Sequence, residues 1–140
     1  MVGEGSGGPR VNHLAVVVRD LARSEAFYVG LLGLPVIRRL SDEEGWPRSI
    51  WLGLDGGSFL ALELAPKAER TGERAKADGA PGWHCLALHI YPGERDFIRR
   101  KLEHAGFRVE RETPFTMYVR DPDGALVGLS HFPQRVSPLN

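Results

Sequence analysis

An apolar strand, a helix closed by glycine and three further strands occur twice along this chain, and that internal repeat restricts the fold more than any other feature. Residues 11–18 (VNHLAVVV) are β-branched, nearly uncharged and too few for an ordinary helix, which predicts a buried strand. Asp20 follows as a candidate N-cap. Residues 21–32 carry Ala26, Phe27, Leu31 and Leu32 at helical spacing, and Gly33 stands where a helix would stop. Strands are predicted over 36–40, 49–54 and 59–64, with the Asp55-Gly56-Gly57 turn between the last two. The second half follows the same order. A strand is predicted over 84–90 (HCLALHI) and a helix over 94–105, with Phe97, Ile98, Leu102 and Ala105 on one side and Gly106 at its end. Strands follow at 107–111, 115–119 and 125–132, the last two joined by the turn Asp121-Pro122-Asp123-Gly124. Leu14-Ala15 matches Leu86-Ala87, and Gly33-Leu34-Pro35-Val36 matches Gly106-Phe107-Arg108-Val109.

A small sheet with one helix on one side leaves its other face bare, so two such units must cover each other or curl around a shared cavity. The expected fold is therefore α+β: two βαβββ modules in pseudo-twofold arrangement, their curved mixed sheets enclosing a small-molecule pocket. The expected organisation is a flexible N-terminal tail at 1–9, a single domain over 10–133 and a C-terminal tail at 134–140. The modules span about 10–65 and 83–133, and a polar, charged linker at 66–82 joins them, with room for one helical turn.

Composition narrows the partners. Lys plus Arg and Asp plus Glu both number 18, so the formal net charge is zero and the basic excess that drives nucleic-acid binding is missing. Cys85 is the only cysteine, so no internal disulfide can form and nothing points to an oxidising compartment. No apolar run approaches the roughly 20 residues of a membrane helix. The Gly-rich start lacks the apolar stretch of a signal peptide. The expected location is the cytoplasm, and the expected partner is a small molecule, with neither nucleic acid nor membrane.

Alternation along the strands sorts the side chains. In the first strand Leu14, Val16 and Val18 suit the helix, which leaves His13 and Ala15 facing the cavity. In its counterpart Cys85, Ala87 and His89 face the cavity. The last strand of each half adds Ala61 and Glu63, and Gly128 and Ser130. This set is small or polar, and a carboxylate beside imidazoles is costly to bury unpaired, so the face reads as a pocket. Trp51 and Tyr118, with Trp46, Trp83 and Phe115, are candidates to stack on a ligand, with core packing the more common role for each. By alternation His84 and His131 lean away from the cavity toward structural or surface roles, and Asp121 and Asp123 belong to a turn.

The segments VNHLAVVVRDLARSEAFYVGLLGLPV, FLALEL and YVRDPDGALVGL resemble the vicinal oxygen chelate superfamily. That superfamily includes glyoxalase I, bleomycin-resistance proteins, fosfomycin-resistance enzymes, methylmalonyl-CoA epimerase and extradiol dioxygenases. The resemblance spans about 11–132. It implies a divalent metal held by a His from the first strand of each half and a Glu or Gln from the last. Carried over by residue, this gives His13 and Glu63 as metal ligands, with Glu63 also the candidate catalytic base. The second half departs at both positions, with Cys85 in place of the His and Gly128 in place of the Glu. A Cys85 thiolate, His89, or His84 after a register shift would be the substitutes. His13, Cys85, His89, Trp51 and Tyr118 are the expected ligand-binding residues. Two readings stay open: an isomerase, lyase or dioxygenase acting at vicinal oxygens, or a metal-free protein that binds or sequesters a small molecule. The resemblance also implies a homodimer.

Overall fold

Asp20 ends the first strand and starts the first helix in one step, its carboxylate accepting the Arg23 N–H at 3.0 Å. The computed structural model in which this is seen describes residues 7–71 and 79–136. Residues 1–6 and 137–140 of the expected tails, and 72–78 of the expected linker, lie outside the described residues. Before Asp20 runs β1 (His13–Val18), and after it α1 (Leu21–Glu25). The helix then continues as a π-helical stretch, Ala26–Leu31, in which the sequence neighbours Phe27 and Tyr28 are both buried. Gly33 closes it at φ 82, a left-handed conformation that a side chain would strain. β2 (Val36–Ser41), β3 (Pro47–Gly53) and β4 (Phe59–Leu64) complete the first half.

The second half has β5 (Leu86–His89), α2 (Arg95–His104), β6 (Val109–Glu112), β7 (Thr116–Arg120) and β8 (Leu126–Ser130). Gly106, at φ 93, follows α2 as Gly33 follows the first helix. The expected order of elements is the observed one, with boundaries moved by at most two residues. The helical turn allowed for in the linker is present at Lys67–Glu69.

Each half folds into one four-stranded mixed sheet, ordered β1-β4-β3-β2 and β5-β8-β7-β6. The first and last strands of each half run parallel, and the other pairs are antiparallel. One side of each sheet packs under its helix. There Val18, Ile50, Leu52, Leu60 and Leu62 are buried in the first half, and Ile90, Met117, Val119, Val127 and Leu129 in the second. Each such side chain contributes about 1.5–3 kcal/mol on burial.

The halves meet through the first helix and the turn between β7 and β8. The Tyr28 hydroxyl donates to Asp121 Oδ2 at 2.8 Å, and both groups are buried. Asp121 also accepts the Asp123 and Ala125 N–H groups at 2.9 and 2.8 Å. Burial pushes the Asp121 carboxyl above its usual range against the pull of these bonds. Burial, and then the neighbouring Asp121 charge, push the Tyr28 phenol far upward. The Arg19 guanidinium lies 3.5 Å from the Asp123 carboxylate, and the Phe27 and Phe107 rings meet edge to face at 4.9 Å. Among the described residues no helix is long and apolar enough to cross a membrane.

Candidate functional site

The side of each sheet that faces away from its helix is open, and strand register fixes what lies on it. In the first half Ala15, Ala61 and Trp51 form one row across β1, β4 and β3. His13 and Phe59 lie in the row before it, and Val17, Glu63 and Ser49 in the row after. In the second half Ala87, Gly128 and Tyr118 form the matching row, followed by His89, Ser130 and Thr116. The rows superpose half on half: Ala15 on Ala87, Ala61 on Gly128, Trp51 on Tyr118, Val17 on His89 and Glu63 on Ser130. Every residue that alternation assigned to the cavity from β1, β4, β5 and β8 stands on this concave face.

The floor is lined by small residues. Gly128 is hemmed in: a Cβ there would meet Thr116 Cγ2 at 3.3 Å and Tyr118 Cε1 at 3.4 Å. Both halves carry a buried hydroxyl at the same place. Ser49 donates to Glu63 Oε2, and Thr116 donates to Ser130 Oγ at 2.8 Å. Between the free edges of β1 and β5 opens a cleft of about 540 Å³. His13 and Ala15 line it from one half, and His84, Cys85 and Ala87 from the other, with Trp83 at its mouth.

His13 is held in an aromatic stack. Its ring lies against Phe59, centroids 4.7 Å apart, and Phe59 lies against Trp51 at 4.3 Å. His13 Nδ1–H donates to Asn12 Oδ1 at 2.7 Å, which leaves Nε2 as an acceptor. Its neighbour on β4 is Phe59, whereas Glu63 is the neighbour of Val17. The two expected ligands share a face but stand four residues apart in register. At about 3.3 Å per residue their backbones stand roughly 13 Å apart along the strands, so both side chains would have to extend fully toward each other to share one ion held at about 2 Å from each. Cys85 and His89 are likewise separated along the second half, and Gly128 offers no donor. Among the described residues no group of three or more His, Cys, Asp or Glu side chains is placed to hold a metal ion. The residues present do not fit the metal that the resemblance implies.

Of the two histidines expected to lean away from the cavity, His131 does and His84 does not. His84 lines the cleft, because it precedes β5 and strand alternation does not govern it. His131 is fully buried: Nδ1–H donates to the Gln134 carbonyl at 2.6 Å and Nε2 accepts from Arg95 at 2.9 Å, a structural role. Trp46 lies by a separate surface hollow near Asp20, and Phe115 packs edge to face on Phe132 at 5.2 Å.

Two residues escaped the sequence reading. Arg38 lies over the Trp51 ring at 5.2 Å, and Arg111 over the Tyr118 ring at 4.1 Å. Each stands five residues after the glycine that ends its half's helix, so aligning the repeats further would have paired them.

The sequence model of the Glyoxalase/Bleomycin resistance protein/Dioxygenase superfamily matches residues 10–129. An uncharacterized protein of Bacillus subtilis (strain 168), YwkD, is 30% identical over 119 residues, which cover 81% of this chain and 89% of that protein. The glyoxalase I of Leishmania major superposes with a TM-score of 0.69 at 24% identity, over 89% of this chain and 87% of that one. The fosfomycin resistance protein FosX of Mesorhizobium loti superposes with a TM-score of 0.63 at 20% identity, over 86% of this chain and 90% of that one. At these identities the two structures speak to the fold alone.

Proposed function

This chain belongs to the Glyoxalase/Bleomycin resistance protein/Dioxygenase superfamily, and we propose that within it the protein binds a small organic molecule without a resident metal. The ligand lies on the concave faces and in the cleft between β1 and β5. The observation that carries this reading is the register. It lines the concave face with the small residues Ala15, Ala61, Ala87 and Gly128 while it keeps His13 and Glu63 four residues apart. The cleft's volume also falls within the roughly 300–1,000 Å³ usual for small-molecule sites. In this role His13 Nε2 accepts a hydrogen bond from the ligand. Glu63, oriented by the Ser49 hydroxyl, accepts another, while Trp51, Tyr118, Cys85 and His89 provide contact area.

Metal analysis of protein purified without added metal, beside native mass spectrometry, tests the proposal. The expected result is well under one metal per chain, unchanged by His13→Ala, with a small molecule released on denaturation. One metal per chain that His13→Ala removes would overturn it in favour of the metal-assisted enzyme.

We propose in addition that two copies pair. Val17 is 62% exposed on the concave face and Trp83 93% exposed at the cleft mouth, and such apolar surface on a ligand-site rim favours a cover. Light scattering is expected to give twice the chain mass, and a monomer would remove the idea.

A further inference from the structure

We infer that the molecule held on the concave face is an organic oxyanion, and that the arginine of the half it lies on, Arg38 in the first or Arg111 in the second, receives its charge. The inference rests on the binding site proposed above and adds its chemical class. Its starting point is a pair of matching irregularities. The β2–β3 register slips between Val36 and Arg38, and the β6–β7 register slips between Val109 and Arg111. Without the slip, Arg38 would face Ile50 on the helix side of the sheet. With it, Arg38 stands opposite Trp51, and Arg111 stands opposite Tyr118. A β-bulge re-aims a side chain in this way, and bulges gather at functional sites. Here the same device, at the same place in both halves, turns an arginine onto the concave face.

The charges around the two arginines are uneven. Among the described residues neither Arg38 nor Arg111 has a carboxylate partner. Arg120, on the strand that pairs with Arg111's, is matched by Glu110 at 3.0 Å, and Glu63 takes the Ser49 hydroxyl. A guanidinium over an aromatic ring is steadied by about 0.5–1 kcal/mol at an exposed site. Its N–H groups remain available, and their planar fork suits the paired oxygens of a carboxylate, phosphonate or phosphate ester. The stack of His13, Phe59 and Trp51 beside Arg38 gives the apolar body of such a ligand a wall to lie along.

Three probes of one shape test this: naphthoate, naphthylmethanol and naphthylmethylammonium, titrated into the full chain and followed by calorimetry and by the Trp51 indole N–H resonance. Naphthoate is expected to bind about tenfold tighter than the alcohol, as one charge-assisted contact would give, and the ammonium weakest. Arg38→Met with Arg111→Met should bring naphthoate and the alcohol to equal affinity. Arg100→Ala, an exposed change on α2, should leave the preference intact. Equal binding of naphthoate and alcohol to the unaltered chain would overturn the inference, as would a preference that survives the double substitution, while the site itself would stand. If no probe binds or moves the Trp51 resonance, the concave face is not a ligand site, and both the proposed function and this inference fall.

Discussion

Leu62 in the first half and Leu129 in the second occupy equivalent places under their helices, whereas His13 and Cys85, just as equivalent by position, share no chemistry. The same contrast runs through both sheets. On the helix side every matched pair is apolar: Val18 with Ile90, Leu60 with Val127, Leu52 with Val119, Ile50 with Met117. On the concave side Phe59 stands against Leu126, Glu63 against Ser130 and Val17 against His89. Packing against a helix tolerates a change of shape but not of polarity. The open face carries no such restriction, so its residues answer to what they touch. What stays alike there is accordingly informative: the small floor, the buried hydroxyl bond, and the arginine over an aromatic ring.

The strongest test of this comparison is deletion of the matched core leucines. Leu62→Ala and Leu129→Ala should each lower stability by about 3 kcal/mol, in a single denaturant-induced transition followed by circular dichroism. Unequal losses, or two transitions, would show that the halves are not held by equal cores. Next comes the bond between the halves. Tyr28→Phe leaves the buried Asp121 short of a donor and should cost about 1–2 kcal/mol, read in the same experiment. A loss confined to first-half amides in hydrogen exchange would contradict the coupling.

Surface charge should distinguish the halves more gently. The hydrogen bond from Arg39 holds the Glu25 carboxyl below its usual range. Burial alone would raise Glu112, but hydrogen bonds from Arg95 and Arg99 outweigh it and its carboxyl is also lowered. A lowered folded-state value means stability that is present above the unfolded value of 4.5 and lost as pH falls through the folded one. Glu112→Gln should therefore cost about 1 kcal/mol at neutral pH and Glu25→Gln about half that. Both costs should vanish in urea titrations well below pH 4.5. The smallest effect is expected at Gly128, whose counterpart Ala61 already carries a methyl group. Gly128→Ala gains chain stiffness but crowds Thr116 and Tyr118, and the two should nearly cancel, to within about 0.5 kcal/mol.

Much of this was legible from the residues. The repeat gave the element order, and alternation separated Ala15 and Glu63 from Leu14 and Leu62, because a strand has only two sides. Alternation says nothing about where along its neighbour a residue falls. Hence His13 and Glu63 were rightly placed on one face, while the four-residue offset between them emerged only from the pairing of β1 with β4. Bulges are equally silent: that Arg38 and Arg111 turn onto the concave face is seen only in the register slips. Asp121 read as a turn residue and is one, but its bond to Tyr28 spans 93 positions of sequence, which no local pattern reveals.

That long-range bond makes the copies dependent on one another. A gene fragment encoding the first half alone would leave the Tyr28 phenol without its acceptor, and one encoding the second would leave the Asp121 carboxylate without its donor. Each copy thus carries a polar group that the other satisfies, and a mutation that loosens one weakens its hold on the other.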